Sequence, residues 1–233
     1  MKVALGIIAR PVESLLVLCL RPVISHFDGL IILTPPDAQW EHGVRSLVHE
    51  PRVFHFANDY PWQRDYAHAR NTLIGLSERL GYDWLLMLDA DESMLPDDLV
   101  SLRQYMETEE SLIFSRFEFV DDFNHFCPSF YPDYQARAFK LNMGYNYTGP
   151  VHEYLRKCTD KPAFQMPYST LLPNLHIFHY GKSKPSEEVW AKIDAYNQIA
   201  SGHMPRTRPA DVPLPESWAL DKKKVRFLGN RPL

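Results

Sequence analysis

In "WLLMLDADES", residues 84 to 93, large apolar residues run directly into two aspartates separated by one alanine. Two carboxylates this close repel unless a cation or a donor-rich ligand lies between them. Asp89 and Asp91 therefore call for a partner of opposite charge. Oxygen ligands at alternate positions suit Mg²⁺ or Mn²⁺, which keep one or two protein carboxylates and complete their shells with phosphate oxygens and water. A calcium loop of the EF-hand type starting at Asp89 fails on spacing, because Met94 stands where Gly is required and Val100 where Glu is. A structural alternative stands beside the metal: the pair could cap a helix that begins near Pro96.

The elements that must present this pair are legible as apolar runs. "VALGII" (3 to 8), "GLIILT" (29 to 34), "RVFHFA" (52 to 57) and "DWLLML" (83 to 88) read as buried strands, short and rich in Ile, Leu and Val. Between the first two lies the helical stretch "ESLLVLCLRPVISHF". Between the last two lies "DYAHARNTLIGLSERLG", where Tyr66, Ala69, Leu73, Leu76 and Leu80 recur at steps of three and four and Gly81 supplies the stop. Strand, helix, strand repeated in this way implies parallel pairing with right-handed crossovers. The fold class is α/β, with a Rossmann-like nucleotide-binding half over residues 1–92. Ligands of such sheets bind outside the carboxyl ends of the strands, which is where Asp89 and Asp91 fall.

Residues 93–203 differ in texture. "LPDDLVSLRQYM" reads as a helix with Pro96 in its first turn, and "SLIFSRFEFV" (111 to 120) as a strand. The aromatic and polar stretch "DDFNHFCPSFYPDYQARAFKLNMGYNYTGPVHEYL" is expected to form short strands and loops around a site. "NLHIFHYG" (174 to 181) is a further strand, and Val189, Ile193, Tyr196 and Ala200 mark a helix. Residues 1–203 are thus expected to be a single domain. Residues 204–233 form a Pro-rich tail with the basic run Lys222 to Lys224, expected to be extended or mobile.

Composition narrows the function. The 233-residue chain carries 25 Lys and Arg against 29 Asp and Glu, a formal net charge of −4, so no overall basic field draws it to nucleic acid or anionic membrane. Cys19, Cys127 and Cys158 are widely spaced, without a CxxC pair, which argues against a disulfide framework and a zinc site and for a reducing compartment. The most apolar early segment, "SLLVLCL", is too short for a membrane span and lacks the basic flank of a signal peptide. The expectation is a soluble, cytoplasmic protein.

The segment "HARNTLIGLSERLGYDWLLMLDADE" resembles the family 2 glycosyltransferases of the GT-A fold, in the short single-domain form. There an Ala-Arg-Asn helix, here Ala69-Arg70-Asn71, leads through a Gly-aromatic turn, here Gly81-Tyr82, into a strand ending in Asp-x-Asp. Downstream, "YQARAFKLNMGYNYTGPVHEYL" resembles that family's Arg-x-Phe-Arg/Lys and Gly-x-Val-His-Glu elements. The likeness spans roughly residues 1 to 180. It departs after strand 1, where "IARPVE" replaces Pro-x-x-Asn, and after strand 2, where "TPPD" replaces an Asp-rich turn.

The resemblance implies a donor that is a nucleotide-diphosphate sugar, a Mn²⁺ or Mg²⁺ cofactor, and an acceptor hydroxyl on a glycan, a lipid-linked sugar or another molecule. It implies Asp91 as direct metal ligand, with Asp89 reaching the ribose or the metal through water. His179 would complete the metal shell, unless it is a hydrogen-bonded core histidine. Ala9, Arg10, Asp37, Arg70 and Asn71 fall on the donor side; Arg70 would approach the diphosphate, or else pair on the helix surface with Asp65 or Glu78. Glu153 in "GPVHE" is the implied base for the acceptor proton and Asp133 the runner-up; an exposed glutamate at a helix start is the plainer reading of Glu153. Trp62, Tyr134, Arg137 and His152 fall on the acceptor or sugar side. Tyr131, Tyr145 and Tyr147 could stack on sugar or base, or belong to an aromatic core edge.

Rival classes differ in features that the chain can be checked for. A sugar nucleotidyltransferase would show a Gly-rich, Arg-containing phosphate loop after strand 1, where "GIIARPVES" has none. A non-catalytic carbohydrate-binding domain would keep the aromatics without needing the aspartates. A glycoside hydrolase would pair carboxylates ~5–9 Å apart without a nucleotide-binding helix. The basic run Lys222 to Lys224 keeps a DNA-base acceptor conceivable, and the negative net charge ranks it below a glycan.

Overall fold

A computed structural model describes residues 1–9, 15–34, 53–57, 65–120, 125–126, 131–150, 153–157, 169–183 and 223–224. Strands β1 (Val3–Ile8), β2 (Gly29–Thr34), β3 (Val53–Ala57) and β4 (Trp84–Asp89) are parallel, in spatial order β4-β1-β2-β3. Helices α1 (Leu16–Leu20), α2 (Tyr66–Arg79) and α3 (Pro96–Thr108) cover the sheet. Every residue of β1 and β2 is buried, and the strand period of two sorts them between two cores. Leu5, Ile7, Leu30, Ile32, Trp84, Leu86 and Leu88 lie in one layer with Leu16 of α1 and Leu99, Leu102 and Met106 of α3. Ala4, Ile31, Leu33, Leu85 and Met87 lie in the other, with Ala69, Leu73 and Leu76 of α2. The continuous apolar runs seen in the sequence are thus strands covered on both faces.

Helix α2 starts and stops where its residues dictate. Asp65 caps it by accepting the His68 N–H at 3.0 Å. Gly81 ends it at φ 75°, a left-handed conformation that glycine adopts at no steric cost, and the Tyr82 N–H returns to Ser77 O. The expected helix between β1 and β2 is shorter in its described part. It ends at Leu20, and after Pro22 only a 3₁₀ turn, Ile24–His26, precedes β2, because proline removes a helical donor and crowds the preceding turn.

The second half adds β5 (Glu92–Ser93), β6 (Ser111–Val120), β7 (His125–Phe126), β8 (Asp133–Lys140), β9 (Tyr145–Thr148), β10 (Tyr154–Lys157), β11 (Ser169–Lys182) and β12 (Lys223–Lys224). Strand β8 lies antiparallel between β4 and β6, and β11 runs parallel to β6 and antiparallel to β5. Strands β9 and β10 pair apart from the main sheet. Tyr145 and Tyr147 are buried against Phe139, so they are core side chains and not a sugar platform. Of the tail, Lys223 and Lys224 pair with Phe126 and His125. The helix expected around Val189 to Ala200 lies outside the described residues. Among the described residues no helix is long and apolar enough to cross a membrane.

Candidate active site

The aspartate pair sits in the tight turn from β4 into β5. Strand β5 is only two residues long, yet it aligns Glu92 opposite His179 and Ser93 opposite Phe178 of β11, and the Tyr180 N–H is held by Asp91 O at 2.9 Å. On its other side His179 faces Glu118 of β6. His179 Nδ1 lies 3.0 Å from the Glu118 carboxylate. Its Nε2 lies 3.3 Å from Asp91 Oδ1, in an alignment that makes an ion pair and not a hydrogen bond. The capping alternative for the aspartates is overturned, because the N-cap of α3 is Leu95 and no side chain caps it.

Asp89 points the other way, into arginines. Arg70 Nη2 reaches Asp89 Oδ1 at 2.6 Å, and Arg137 Nη2 reaches Oδ2 at 3.1 Å. Arg70 also donates from Nε to Glu153 Oε1 at 2.6 Å, and its guanidinium stacks 5.2 Å from the Tyr147 ring centroid. Arg137 continues to Glu92 Oε1 at 3.1 Å, and Arg116 reaches the same oxygen at 3.0 Å. Arg116 then holds Asp133 Oδ2 from Nε at 2.9 Å and Nη2 at 2.6 Å. A chain of alternating charge thus runs Glu153, Arg70, Asp89, Arg137, Glu92, Arg116, Asp133, with the two candidate bases at its ends. The electrostatic cost of Asp-x-Asp is met by Arg70 and Arg137 on one side and His179 on the other.

The electrostatics follow from this wiring. Burial alone would lower the Arg70 pKa, but Asp89 and Glu153 outweigh it and hold the guanidinium charged. Burial works against the charged forms of His179 and Glu118 as well. Glu118 and Asp91 nevertheless raise the imidazole to about 9, and His179, Lys182 and Arg116 lower Glu118 to about 2.

Several expected site residues are placed differently from their plainest readings. Arg70 pairs with neither Asp65 nor Glu78; it is buried between Asp89 and Glu153. Glu153 is half-buried and precedes strand β10, where the plainer reading had an exposed residue at a helix start. Arg137, expected on the acceptor side, is buried between Asp89 and Glu92. The reason is a β-bulge: Leu112 faces Ala138 and Ile113 faces Ala136, so Arg137 is the extra residue and its side chain is re-aimed. The Asn71 amide is engaged with both backbone groups of Tyr147, at 2.9 and 2.7 Å. Ala9 is buried with its N–H on Leu33 O, and Tyr134 is half exposed. Arg10, Asp37, Trp62 and His152 lie outside the described residues.

Sequence reasoning missed Glu92, Arg116 and Glu118. Arg116 and Glu118 did carry a signal: two charges at i and i+2 on an otherwise apolar strand share one face, and buried charges demand partners.

The donor set fits a divalent cation. Asp91 and His179 converge, the buried Nε2 makes no hydrogen bond, and the Glu118 carboxylate stands behind Nδ1, as behind many metal-bound imidazoles. No cluster of three or more ligating side chains occurs among the described residues. Mg²⁺ and Mn²⁺ suit such a sparse set, because substrate phosphates and water supply the other ligands.

No family model matches the chain. Two solved structures of residues 1–349 of TarS from S. aureus are similar over 87% of this chain. One has a TM-score of 0.52 over 73% of its own length, and the other, in complex with UDP-GlcNAc, 0.51 over 74%. Both are 8% identical in sequence. The fold is GT-A-like. The resemblance carried by residues 68–92 had implied this fold. A TPR repeat-containing protein of Synechococcus elongatus, Synpcc7942_0270, is 31% identical over 114 residues, which is 49% of this chain. The match spans about a quarter, 26%, of that relative's length.

Proposed function

We propose that the chain is a metal-dependent, inverting glycosyltransferase of the family 2 type. It would move a sugar from a nucleotide-diphosphate sugar to an acceptor hydroxyl in glycan or polysaccharide synthesis. The observation that carries this reading is the Arg70 bridge. One guanidinium joins Asp89, at the end of the nucleotide-side strand, to Glu153, far downstream. A donor-side and an acceptor-side carboxylate are thereby fixed on either side of one arginine.

Inversion requires the acceptor hydroxyl to lose its proton as it attacks. Glu153 is better arranged for this than Asp133. Its Oε1 is held by Arg70, while Oε2 takes no hydrogen bond from another described residue. Both Asp133 oxygens are engaged, Oδ2 by Arg116 and Oδ1 by Gln135 at 2.8 Å. Arg70 orients Glu153, and the Tyr66 N–H at the start of α2 holds Pro150 O at 2.9 Å, which anchors the segment delivering it. On the leaving side Asp91 and His179 would hold Mn²⁺ or Mg²⁺. That ion supplies Lewis-acid stabilisation of charge on the departing diphosphate. Arg70 and Arg137 hold the Asp89 carboxylate in place at the strand end.

A uridine nucleotide is the first donor class to test, because the TarS neighbour was solved with UDP-GlcNAc. Mn²⁺ with UDP should raise the melting temperature, the stabilisation reaching about 2.7 kcal/mol at a hundredfold excess over Kd. Asp91→Ala should remove the Mn²⁺-dependent part and still fold. An Asp91→Ala protein whose nucleotide binding depends on Mn²⁺ as before would refute the reading.

A further inference from the structure

The buried imidazole of His179 has one nitrogen anchored and the other facing Asp91. Glu118 anchors it, and Gly181 lies in the space beside it. Glu118 is the parallel-register partner of His179 and meets Nδ1 at 3.0 Å. This contact fixes the ring so that Nε2 faces Asp91 Oδ1 at 3.3 Å.

Gly181 lies two residues on, inside a register irregularity of β11 between His179 and Lys182. A Cβ at this position would stand 2.6 Å from His179 Nε2, 2.9 Å from its Cε1 and 3.1 Å from Asp91 Oδ2. The first two distances are closer than side-chain carbons come. The contrast with other glycines is informative. A Cβ at Gly6 would meet only the apolar chains of Leu85 and Leu73, and one at Gly75 would meet nothing within 4 Å. Of these three, Gly181 alone would set a side chain against two candidate ligand atoms.

We propose that Glu118 and Gly181 complete the cation seat. Glu118 is the positioning residue that aims His179 Nε2 at the ion bound by Asp91, and Gly181 keeps the approach to both ligand atoms clear. The proposal rests on the reading of Asp91 and His179 as the metal pair.

The test is Mn²⁺ affinity, measured by electron paramagnetic resonance on the full chain without donor or acceptor, alongside the melting temperature of each metal-free protein. Glu118→Gln keeps a hydrogen-bond acceptor for Nδ1 but loses the charge, and should weaken Mn²⁺ about ten- to a hundredfold. Gly181→Ala should weaken it at least as much and remove the nitrogen hyperfine coupling of the bound imidazole. Gly75→Ala, the same change where space is open, should leave affinity unaltered. Absence of Mn²⁺ binding by the unsubstituted chain overturns both this proposal and the metal reading beneath it. Tight binding by the unsubstituted chain, matched within twofold by Glu118→Gln or by Gly181→Ala, overturns this proposal alone. So does a loss of affinity in both variants that merely tracks a loss of folded protein.

Discussion

Strands β1 and β6 belong to one sheet and differ in almost everything else. All six positions of β1 are buried and carry no charge, so packing alone satisfies them. Strand β6 buries Leu112, Ile113 and Phe114 equally well, then adds Arg116, largely enclosed, and a buried Glu118. Taking such charges out of water costs several kcal/mol per ion unless partners are placed with good geometry. The partners come from β5, β8 and β11: Glu92, Asp133 and His179. The first half of the sheet is held by shape. The second is held by paired buried charges.

That contrast is sharpened most by the substitution with the largest expected effect. Glu153→Gln preserves shape and the contact with Arg70 but cannot accept a proton, so turnover should fall by roughly 10² to 10⁴ with donor affinity nearly unchanged. Asp133→Asn should cost far less, because both Asp133 oxygens already serve Arg116 and Gln135. The measurement is kcat with donor and acceptor both saturating. Near-normal turnover for Glu153→Gln would move the base elsewhere, and a loss confined to the acceptor KM would make Glu153 a binder.

Next come two buried substitutions, one in each region. Arg137→Leu strips a partner from both Asp89 and Glu92 and should destabilise by about 3–5 kcal/mol. Leu86→Ala opens a cavity between β4 and the α1/α3 layer and should cost about 2–5 kcal/mol. Their stabilities will be similar, but their ligand responses should differ. Denaturant midpoints taken with and without Mn²⁺ and UDP should shift in parallel for Leu86→Ala, whereas Arg137→Leu should also lose part of the ligand-induced increment. Equal increments in both variants would mean that the charge chain does not reach the site.

The same contrast explains what the sequence made legible. Strands β1, β2 and β4 and helix α2 stand where the apolar periods put them, because burial on two faces leaves no other use for such residues. Their order implied a parallel α/β half, and the motif resemblance of residues 68–92 implied the GT-A form. The Arg70 contacts to Asp89 and Glu153 were not legible, since they join positions 19 and 83 residues apart along the chain. Nor was the role of Arg137, which depends on a one-residue bulge that no local pattern announces. Tyr145 and Tyr147 look like binding aromatics in a polar stretch, and only the packing against Phe139 shows them as core. Gly181 reads as a turn residue until the atoms beside it are known.

The smallest effect separates the two regions by pH. Strand β1 carries no titratable side chain, whereas His179 sits between Glu118 and Asp91. Burial alone would lower the His179 pKa, but those carboxylates raise it from 6.5 to about 9 in the metal-free protein. A folded-state value above the unfolded one means that the unfolded chain loses its proton first. The stabilisation is therefore complete below about pH 6.5 and disappears as pH rises through about 9. Glu118 has the opposite sign: lowered from 4.5 to about 2, it stabilises above 4.5 and loses its contribution as pH falls through 2. Denaturant unfolding in a chelating buffer should accordingly show stability declining from pH 7 to 9. Leu86→Ala should lower that curve without changing its slope, and His179→Gln should flatten it. Mn²⁺ with UDP should also reduce the alkaline decline, because a ligating imidazole must be neutral and binding grows as its proton leaves. An alkaline slope as steep in His179→Gln as in the unsubstituted protein would assign the titration to other groups and remove the pH signature from this half of the sheet.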